Sequence, residues 1–355
     1  MAAAAVPLLV SACASGPDAT EGGSAEQQSP SGMSSISSEA ARVLAERPFA
    51  ADSPWNTAID GAKVDRHSAR MIRLSQERVG VVERRGGAAP VVERRMVDEG
   101  LYINTSSWTT PVVSGGVPTE LRCRQVDCGD PIPDDTLTVP TDVDPMPEYD
   151  GWFTVLSDGT AYDLWRARRE SDGALSYLYA RAWDLDGPGY DVPQTVSARG
   201  SGLPFIGGLI MPGELAAGRV EHALAISVPG PAQRRFVQPA SSTDGNGRWA
   251  SLPEGARIRL RADAVLRPPV DRVTGEVVPL SPQEQRVADA LVATLRRYGA
   301  IVVDRAAVPT LYASPDVGTS GLVGYELQGL TMADFEVVEL GKIHIYPDTT
   351  EGGKS

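Results

Sequence analysis

The segment Trp152–Asp184 constrains the fold of this chain more than any other part of its sequence. Short apolar runs alternate there with Asp-Gly pairs at Asp158-Gly159 and Asp172-Gly173. An Asp-Gly pair between two apolar runs is a strong signal for a tight turn between antiparallel strands. The pattern therefore predicts an antiparallel meander whose alternating residues cover a core on one side.

The rest of the body predicts more short strands and two helices. Residues 65–76 favour a short N-terminal helix with Asp65 as its cap. A capping box with proline at the first helical position, Ser281-Pro282-Gln283-Glu284, begins an amphipathic helix that Gly299 ends. The fold class that follows is mainly β: a β-sandwich or jelly-roll-like set of antiparallel sheets with these two helices.

A polar, proline-rich stretch at residues 111–149 carries two cysteines, Cys123 and Cys128. Its length favours an insertion on one face or a lid. Two cysteines this close together in an exported protein predict one local disulfide. The three histidines of the chain are scattered, which disfavours a metal site built on these thiols.

The first thirteen residues form a short apolar run that ends in Val10-Ser11-Ala12-Cys13. This ending resembles the lipobox of bacterial lipoproteins. The resemblance implies a signal peptide at residues 1–12, a lipidated Cys13 and an anchor in the cell membrane on its extracytoplasmic face. The alternative is an alanine-rich N-terminus without a signal.

Residues 13–40 are rich in Ser, Gly, Ala, Glu and Gln and contain almost no large apolar side chains. Such a segment buries too little surface to offset its ordering entropy, so we expect a disordered tether. A single β-rich globular domain is expected at 41–348, followed by a disordered tail at 349–355. The formal net charge of -13 argues against a nucleic-acid partner, because phosphate binding needs clustered Lys and Arg.

A scattered pattern of glycines and apolar residues lies between residues 202 and 304. It consists of Gly202-Leu203-Pro204, Gly208-Leu209, Glu214, Gly218, His222-Ala223-Leu224, Gly255-Ala256-Arg257 and Arg297-Tyr298-Gly299. In this pattern the chain is similar to a group of uncharacterised secreted actinobacterial proteins. The resemblance implies a shared fold and carries no mechanism.

Standard catalytic signatures are missing from the sequence. It contains no Gly-x-Ser-x-Gly elbow, no phosphate-binding glycine loop, and no His-Glu-x-x-His or Cys-x-x-Cys spacing. We therefore expect no cofactor and no metal.

One arrangement in the meander points to a ligand. Strand alternation places Asp163 and Trp165 on one face of their strand, and it places four residues of the partner strand on one face as well. If that face is outward, it presents aromatic rings beside a carboxylate and a guanidinium, a combination that suits glycans. The residues of the partner strand are Tyr177, Tyr179, Arg181 and Trp183.

Three hypotheses follow from this face. The favoured one is a glycan-binding envelope protein that uses Trp165, Tyr177, Tyr179, Arg181 and Trp183. A second is a polysaccharide hydrolase or lyase that uses Asp163 with Glu214 or His222, since a buried acid can serve as a general acid. The third is a non-catalytic structural lipoprotein, in which the rings simply belong to the core.

Overall fold

A computed structural model describes residues 47–82, 91–271 and 273–347 of the chain. The predicted signal peptide, Cys13, the tether and the tail at 349–355 lie outside the described residues. The described part has three helices: α1 (Ser68–Ser75), α2 (Pro212–Ala216) and α3 (Pro282–Arg297). None of these helices has the length and apolarity needed to cross a bilayer.

Eighteen strands account for most of the regular structure of the described residues, and short 3₁₀ turns complete it. In chain order the strands are β1 (Glu77–Val82), β2 (Val91–Met96), β3 (Tyr102–Asn104), β4 (Val112–Ser114), β5 (Val117–Cys123), β6 (Thr136–Val139), β7 (Phe153–Ser157), β8 (Thr160–Trp165), β9 (Arg168–Arg169), β10 (Leu175–Tyr177), β11 (Tyr179–Asp184), β12 (Leu224–Val228), β13 (Arg235–Val237), β14 (Arg257–Leu260), β15 (Ala300–Arg305), β16 (Thr310–Tyr312), β17 (Phe335–Val337) and β18 (Ile343–Ile345).

The strands form three larger sheets. Their strand orders are β17-β14-β15-β12-β16-β3, β11-β8-β7-β4 and β6-β5-β10-β9. Two hairpin-like pairs, β1-β2 and β13-β18, complete the set. The mainly β prediction is confirmed, and both predicted helices are present as α1 and α3. The predicted cap of α1 is wrong, because His67 rather than Asp65 occupies the N-cap position. The sheets also contain parallel pairs, namely β12-β15, β16-β3, β4-β7 and β10-β5.

Apolar clusters stack these sheets into layers. Helix α3 packs on one face of the six-stranded sheet, where Leu291 and Ile226 share a cluster. A second cluster, which we call the middle layer, joins the other face of that sheet to the sheet of β7 and β8 and includes Ile301 and Ala161. A third cluster joins the opposite face of β7 and β8 to the remaining four-stranded sheet. The sheet of β7 and β8 is therefore buried on both faces.

Local sequence signals explain the best-predicted elements. The Ser281 hydroxyl accepts from the Glu284 amide at 3.3 Å, and the Glu284 carboxylate accepts from the Ser281 amide at 2.6 Å. This reciprocal capping box satisfies amides that the first helical turn leaves unpaired. The β7-β8 hairpin turns at Asp158-Gly159, as the meander predicted.

The predicted disulfide between Cys123 and Cys128 is present, with a Cα–Cα distance of 5.9 Å. The stretch at residues 111–149, expected as an insertion or lid, instead supplies β4, β5 and β6 to two different sheets. Residues of β5 and β6 alternate between buried and exposed positions. The prolines and aspartates of this stretch obscure that alternation in the sequence.

Candidate functional site

Asp163 lies at the centre of β8 and points into the middle layer, with no exposed surface. Its carboxylate accepts three hydrogen bonds: from Thr154 Oγ1 at 2.7 Å, Trp183 Nε1 at 2.9 Å and the Phe205 amide at 2.7 Å. Burial raises the pKa of Asp163 to about 6, although these donors and the charge of Arg199 oppose the rise. Through these hydrogen bonds, Asp163 in β8 connects β7, β11 and the loop that contains Phe205 in the interior of the protein.

The strand pairing places Asp163 opposite Arg181 and Trp165 opposite Tyr179, in agreement with the predicted shared face. The expectation that this face looks outward is wrong for one of its two indole rings, because Trp183 is buried in the middle layer. Alternation alone cannot tell which side of a strand faces solvent. Here a second sheet covers the side that carries the indole.

Tyr177 does not share a sheet with the other predicted ring residues. It belongs to β10, which pairs with β5 and β9, and its side chain is buried in the third cluster. The chain changes sheets at Leu178, whose amide donates to the Trp165 carbonyl at 3.0 Å. The alternation pattern predicts one continuous strand from Tyr177 to Trp183. The change of sheet at Leu178 separates Tyr177 from the other three residues of that predicted face.

Tyr179, Arg181 and Trp165 are half-buried. The Arg181 guanidinium contacts Asp130, at 3.0 Å, and Asp191. Two carboxylates already engage this guanidinium, so Arg181 holds loops against β11. A ligand-binding role for these residues stays a prediction.

Glu214 and His222 form a buried pair, with Glu214 Oε1 at 2.9 Å from His222 Nε2. His222 Nδ1 lies 2.8 Å from the Ala223 carbonyl, and the other Glu214 oxygen accepts from the Met211 amide. Burial alone would lower the pKa of His222, but attraction to Glu214 and these hydrogen bonds raise it overall. Both ring nitrogens thus face acceptors, which favours the imidazolium form.

The three predicted catalytic residues do not form one hydrogen-bonded group. The hydrogen-bond partners of Asp163 include neither Glu214 nor His222. His222 borders a cavity of about 10 Å³, which has room for roughly one water molecule. Catalytic roles for the three residues stay predictions.

A second group of acids, which the sequence did not indicate, consists of Asp244, Glu254 and Asp304. One carboxylate oxygen from each residue lies within 4.8 Å of the others. Glu254 has no exposed surface, Asp304 is half-buried and Asp244 is exposed. We call these three residues the acid cluster. They come from distant parts of the chain, so no spacing in the sequence could have identified them.

Asp304 reaches the acid cluster through a β-bulge. The parallel register of β12 and β15 runs from Ile226↔Val302 to Ser227↔Asp304, which leaves Val303 as one extra residue. The bulge places Asp304 opposite Ser227. Without it, period-two alternation would put Asp304 on the same face as Val302.

Glu254 and Asp304 both have raised pKa values. Burial, together with the negative charge of Asp244, raises the pKa of Asp304 to about 7. Burial and the charges of both neighbours also raise the pKa of Glu254 well above its usual range. Arg305 Nε contacts the Asp244 carboxylate at 2.9 Å and offsets part of this repulsion. The acid cluster is therefore rich in negative charge and short of donors.

Arg199 is a buried cation near the acid cluster, and its charge lowers the pKa of Asp304. Its guanidinium packs against the rings of Trp152, Phe205 and Tyr312, at 5.0 to 5.3 Å from their centroids. Its Nε has no hydrogen-bond partner among the described residues. Cation–π contacts replace carboxylate contacts for this side chain.

Two aromatic rings outside the predicted face of β8 and β11 are exposed to solvent. Trp108 and Tyr149 meet edge to face, with ring centroids 5.6 Å apart, and are 39% and 36% exposed. Next to Tyr149, Asp150 pairs with Arg166 at 3.0 Å, and the Arg166 guanidinium lies 5.3 Å from the Trp165 ring. We call these five residues the ring–charge strip.

Burial raises the pKa of Asp150, and the charges of Arg166 and Arg305 oppose the rise. Because Arg305 also pairs with Asp244, one cation acts on both the ring–charge strip and the acid cluster. The sequence prediction included only Trp165 of the strip, because Trp108, Tyr149 and Arg166 lie in loops outside the strand alternation.

Comparisons with known proteins do not add to this geometry. The chain matches no protein-family model, no curated protein sequence and no solved structure.

Proposed function

We propose that this chain is an envelope protein of the extracytoplasmic face, anchored through a lipid on Cys13, whose β-rich domain binds glycans. The similarity of Val10–Cys13 to a lipobox supports the anchor. The disulfide Cys123–Cys128 supports an oxidising compartment. The ring–charge strip supports the ligand class.

The observation that carries the ligand class is the exposed Trp108–Tyr149 pair beside the Asp150–Arg166 ion pair. Aromatic side chains combine a large apolar surface with a polar edge, so they stack on the apolar face of a sugar ring. A carboxylate accepts from sugar hydroxyls and a guanidinium donates to them. The strip offers both kinds of contact: two exposed rings and, beside them, a half-buried ion pair.

This assignment moves the binding surface away from the interior face of β8 and β11. Trp165 is the one residue that both surfaces share. Its ring is half-buried, as is Arg166, whose guanidinium lies over the ring at 5.3 Å from the centroid. Tyr177 and Trp183 have no part in this surface because both are buried.

Affinity electrophoresis of the full chain in gels that contain soluble polysaccharides tests this function. We expect at least one polysaccharide to retard the wild type, and Trp108→Ala or Tyr149→Ala to weaken the retardation about tenfold, the loss of one good stacking contact. The matched control is Trp249→Ala, since Trp249 is 50% exposed and packs under Arg235, outside the strip.

Equal weakening by Trp249→Ala and Trp108→Ala would contradict the assignment of the strip. If no polysaccharide in a broad panel retards the wild type, the glycan proposal itself is wrong.

A further inference from the structure

We propose that Asp244, Glu254 and Asp304 bind one divalent cation, with Ca²⁺ as the best match. This site goes beyond the proposed glycan binding and does not depend on it. All three residues offer carboxylate oxygens, the ligands that hard divalent cations prefer over nitrogen or sulfur.

The spacing of the ligands fits a Ca²⁺ ion. Oxygens bind Ca²⁺ at about 2.3–2.6 Å, so two ligands of one ion are at most about 5 Å apart. Mg²⁺ binds at about 2.0–2.1 Å and allows only about 4 Å. The three carboxylates present oxygens within 4.8 Å of one another, which is inside the limit for Ca²⁺. Ca²⁺ also tolerates an irregular set of carboxylate ligands, whereas Mg²⁺ demands a near-ideal octahedron.

A separate observation points to a missing partner at this place. Glu254 Oε1 is fully buried and has no hydrogen-bond partner among the described residues, while Oε2 accepts from the Asp244 amide at 3.2 Å. A buried carboxylate oxygen without a donor is costly. A cation between Glu254 and the two aspartates would supply the contact. The same loop carries another unpartnered acceptor, Asn246 Oδ1.

The local charge matches a divalent ion. Arg305 already pairs with one of the three carboxyl groups, that of Asp244, so the carboxyl groups of Glu254 and Asp304 are the two that a divalent ion can bind in their ionised form. Asp244 is exposed and Asp304 is half-buried, so an ion can enter from solvent and keep water ligands. Arg199, whose charge acts on Asp304, opposes binding. We therefore expect modest affinity, about 0.1–1 mM, as in extracellular calcium modules.

Calorimetric titration of the EDTA-treated full chain with CaCl₂ tests the site, and MgCl₂ serves as the comparison ion. We expect one Ca²⁺ per chain, with Mg²⁺ binding more weakly. Asp304→Asn removes a charged ligand and is expected to weaken Ca²⁺ binding about tenfold or more. The matched control is Asp263→Asn, because Asp263 is an exposed aspartate paired only with Arg261; it is expected to bind like the wild type.

A second variant keeps the proposal testable even if Asp304→Asn fails to fold. Arg305→Gln removes the cation that competes for Asp244, so we expect it to bind Ca²⁺ several-fold more tightly than the wild type, with unchanged circular dichroism. Absence of Ca²⁺ binding to the folded wild type at 10 mM, about ten times the weakest expected Kd, overturns the proposal. So does an Arg305→Gln variant that binds no more tightly than the wild type. Either result leaves the glycan proposal standing, because that proposal rests on Trp108 and Tyr149.

Discussion

Asp163 and Glu254 are both carboxyl groups without exposed surface, but their surroundings differ in one respect. Asp163 accepts from Thr154, Trp183 and Phe205. Glu254 has one carboxylate oxygen, Oε1, without a hydrogen-bond partner among the described residues, and two further acids are its neighbours. Burial raises the pKa of both groups, so burial alone does not separate them.

The number of donors is what distinguishes the two acids. A buried acid with three donors is part of the framework, because each donor would be left unpaired without it. An acid that lacks donors and faces other acids is destabilising unless a proton or a cation joins it. The comparison thus separates an acid that stabilises the fold from one suited to a ligand.

The largest expected effect comes from removing Asp163. Asp163→Ala leaves three buried donors without an acceptor, so we expect the free energy of unfolding to fall by about 4 kcal/mol. Urea denaturation followed by tryptophan fluorescence measures this. The control Asp158→Asn, at the exposed turn of the same hairpin, is expected to change stability by less than about 0.5 kcal/mol. A similarly small effect of Asp163→Ala would break the comparison.

Glu214 provides an intermediate case, a buried acid that pairs with a base. Glu214→Gln removes the partner of His222, and we expect a loss of about 3 kcal/mol at pH 6. The pKa of His222 is raised in the folded state. Its contribution is therefore fully present below the unfolded pKa of about 6.5 and is lost as pH rises through the folded value.

Urea midpoints at pH 6 and pH 9 check this dependence. We expect the wild type to lose more stability than Glu214→Gln over that interval. The control Glu221→Gln, next to His222 in sequence, is expected to keep the wild-type pH dependence. If Glu214→Gln keeps the wild-type pH dependence of the urea midpoint, groups other than the Glu214–His222 pair cause it.

The smallest expected effect has the opposite sign. Glu254→Gln removes one of three mutually repelling acids, and we expect it to raise the free energy of unfolding by about 1 kcal/mol at pH 7 in EDTA. Added Ca²⁺ should reverse the order, because the wild type then gains binding energy that the variant lacks. Urea titrations with EDTA and with CaCl₂ provide the measurement. If Glu254→Gln instead lowers the free energy of unfolding in EDTA, Glu254 stabilises the fold as Asp163 does, and the comparison fails.

Much of the fold was predictable from local patterns. The capping box at Ser281 and the Asp-Gly turn at Asp158 act over a few residues, so their geometry is written in adjacent positions. The shared face of Asp163 and Arg181 was also predicted, although β9 and β10, which lie between their strands in the chain, belong to another sheet. The change of sheet at Leu178 was not, because it depends on β5, which lies more than fifty residues earlier.

The candidate site was predictable only in part. Asp163 was identified because an acid in the middle of a strand is unusual, and Glu214 and His222 were identified by residue type. The acid cluster was missed because Asp244, Glu254 and Asp304 meet only in the folded chain. Trp108 and Tyr149 were missed because loops, which carry no periodicity, position both rings.

The amino-acid order by itself determined the β-rich class, the two predicted helices, the capping box at Ser281, the local disulfide and the turns. These features depend on neighbours in the chain and on short-range hydrogen bonds. Tertiary structure decided which face of each strand is covered, which acids have donors and which rings reach solvent. Those outcomes depend on packing between distant segments, and a single bulge before Asp304 was enough to create a cluster that no linear pattern contains.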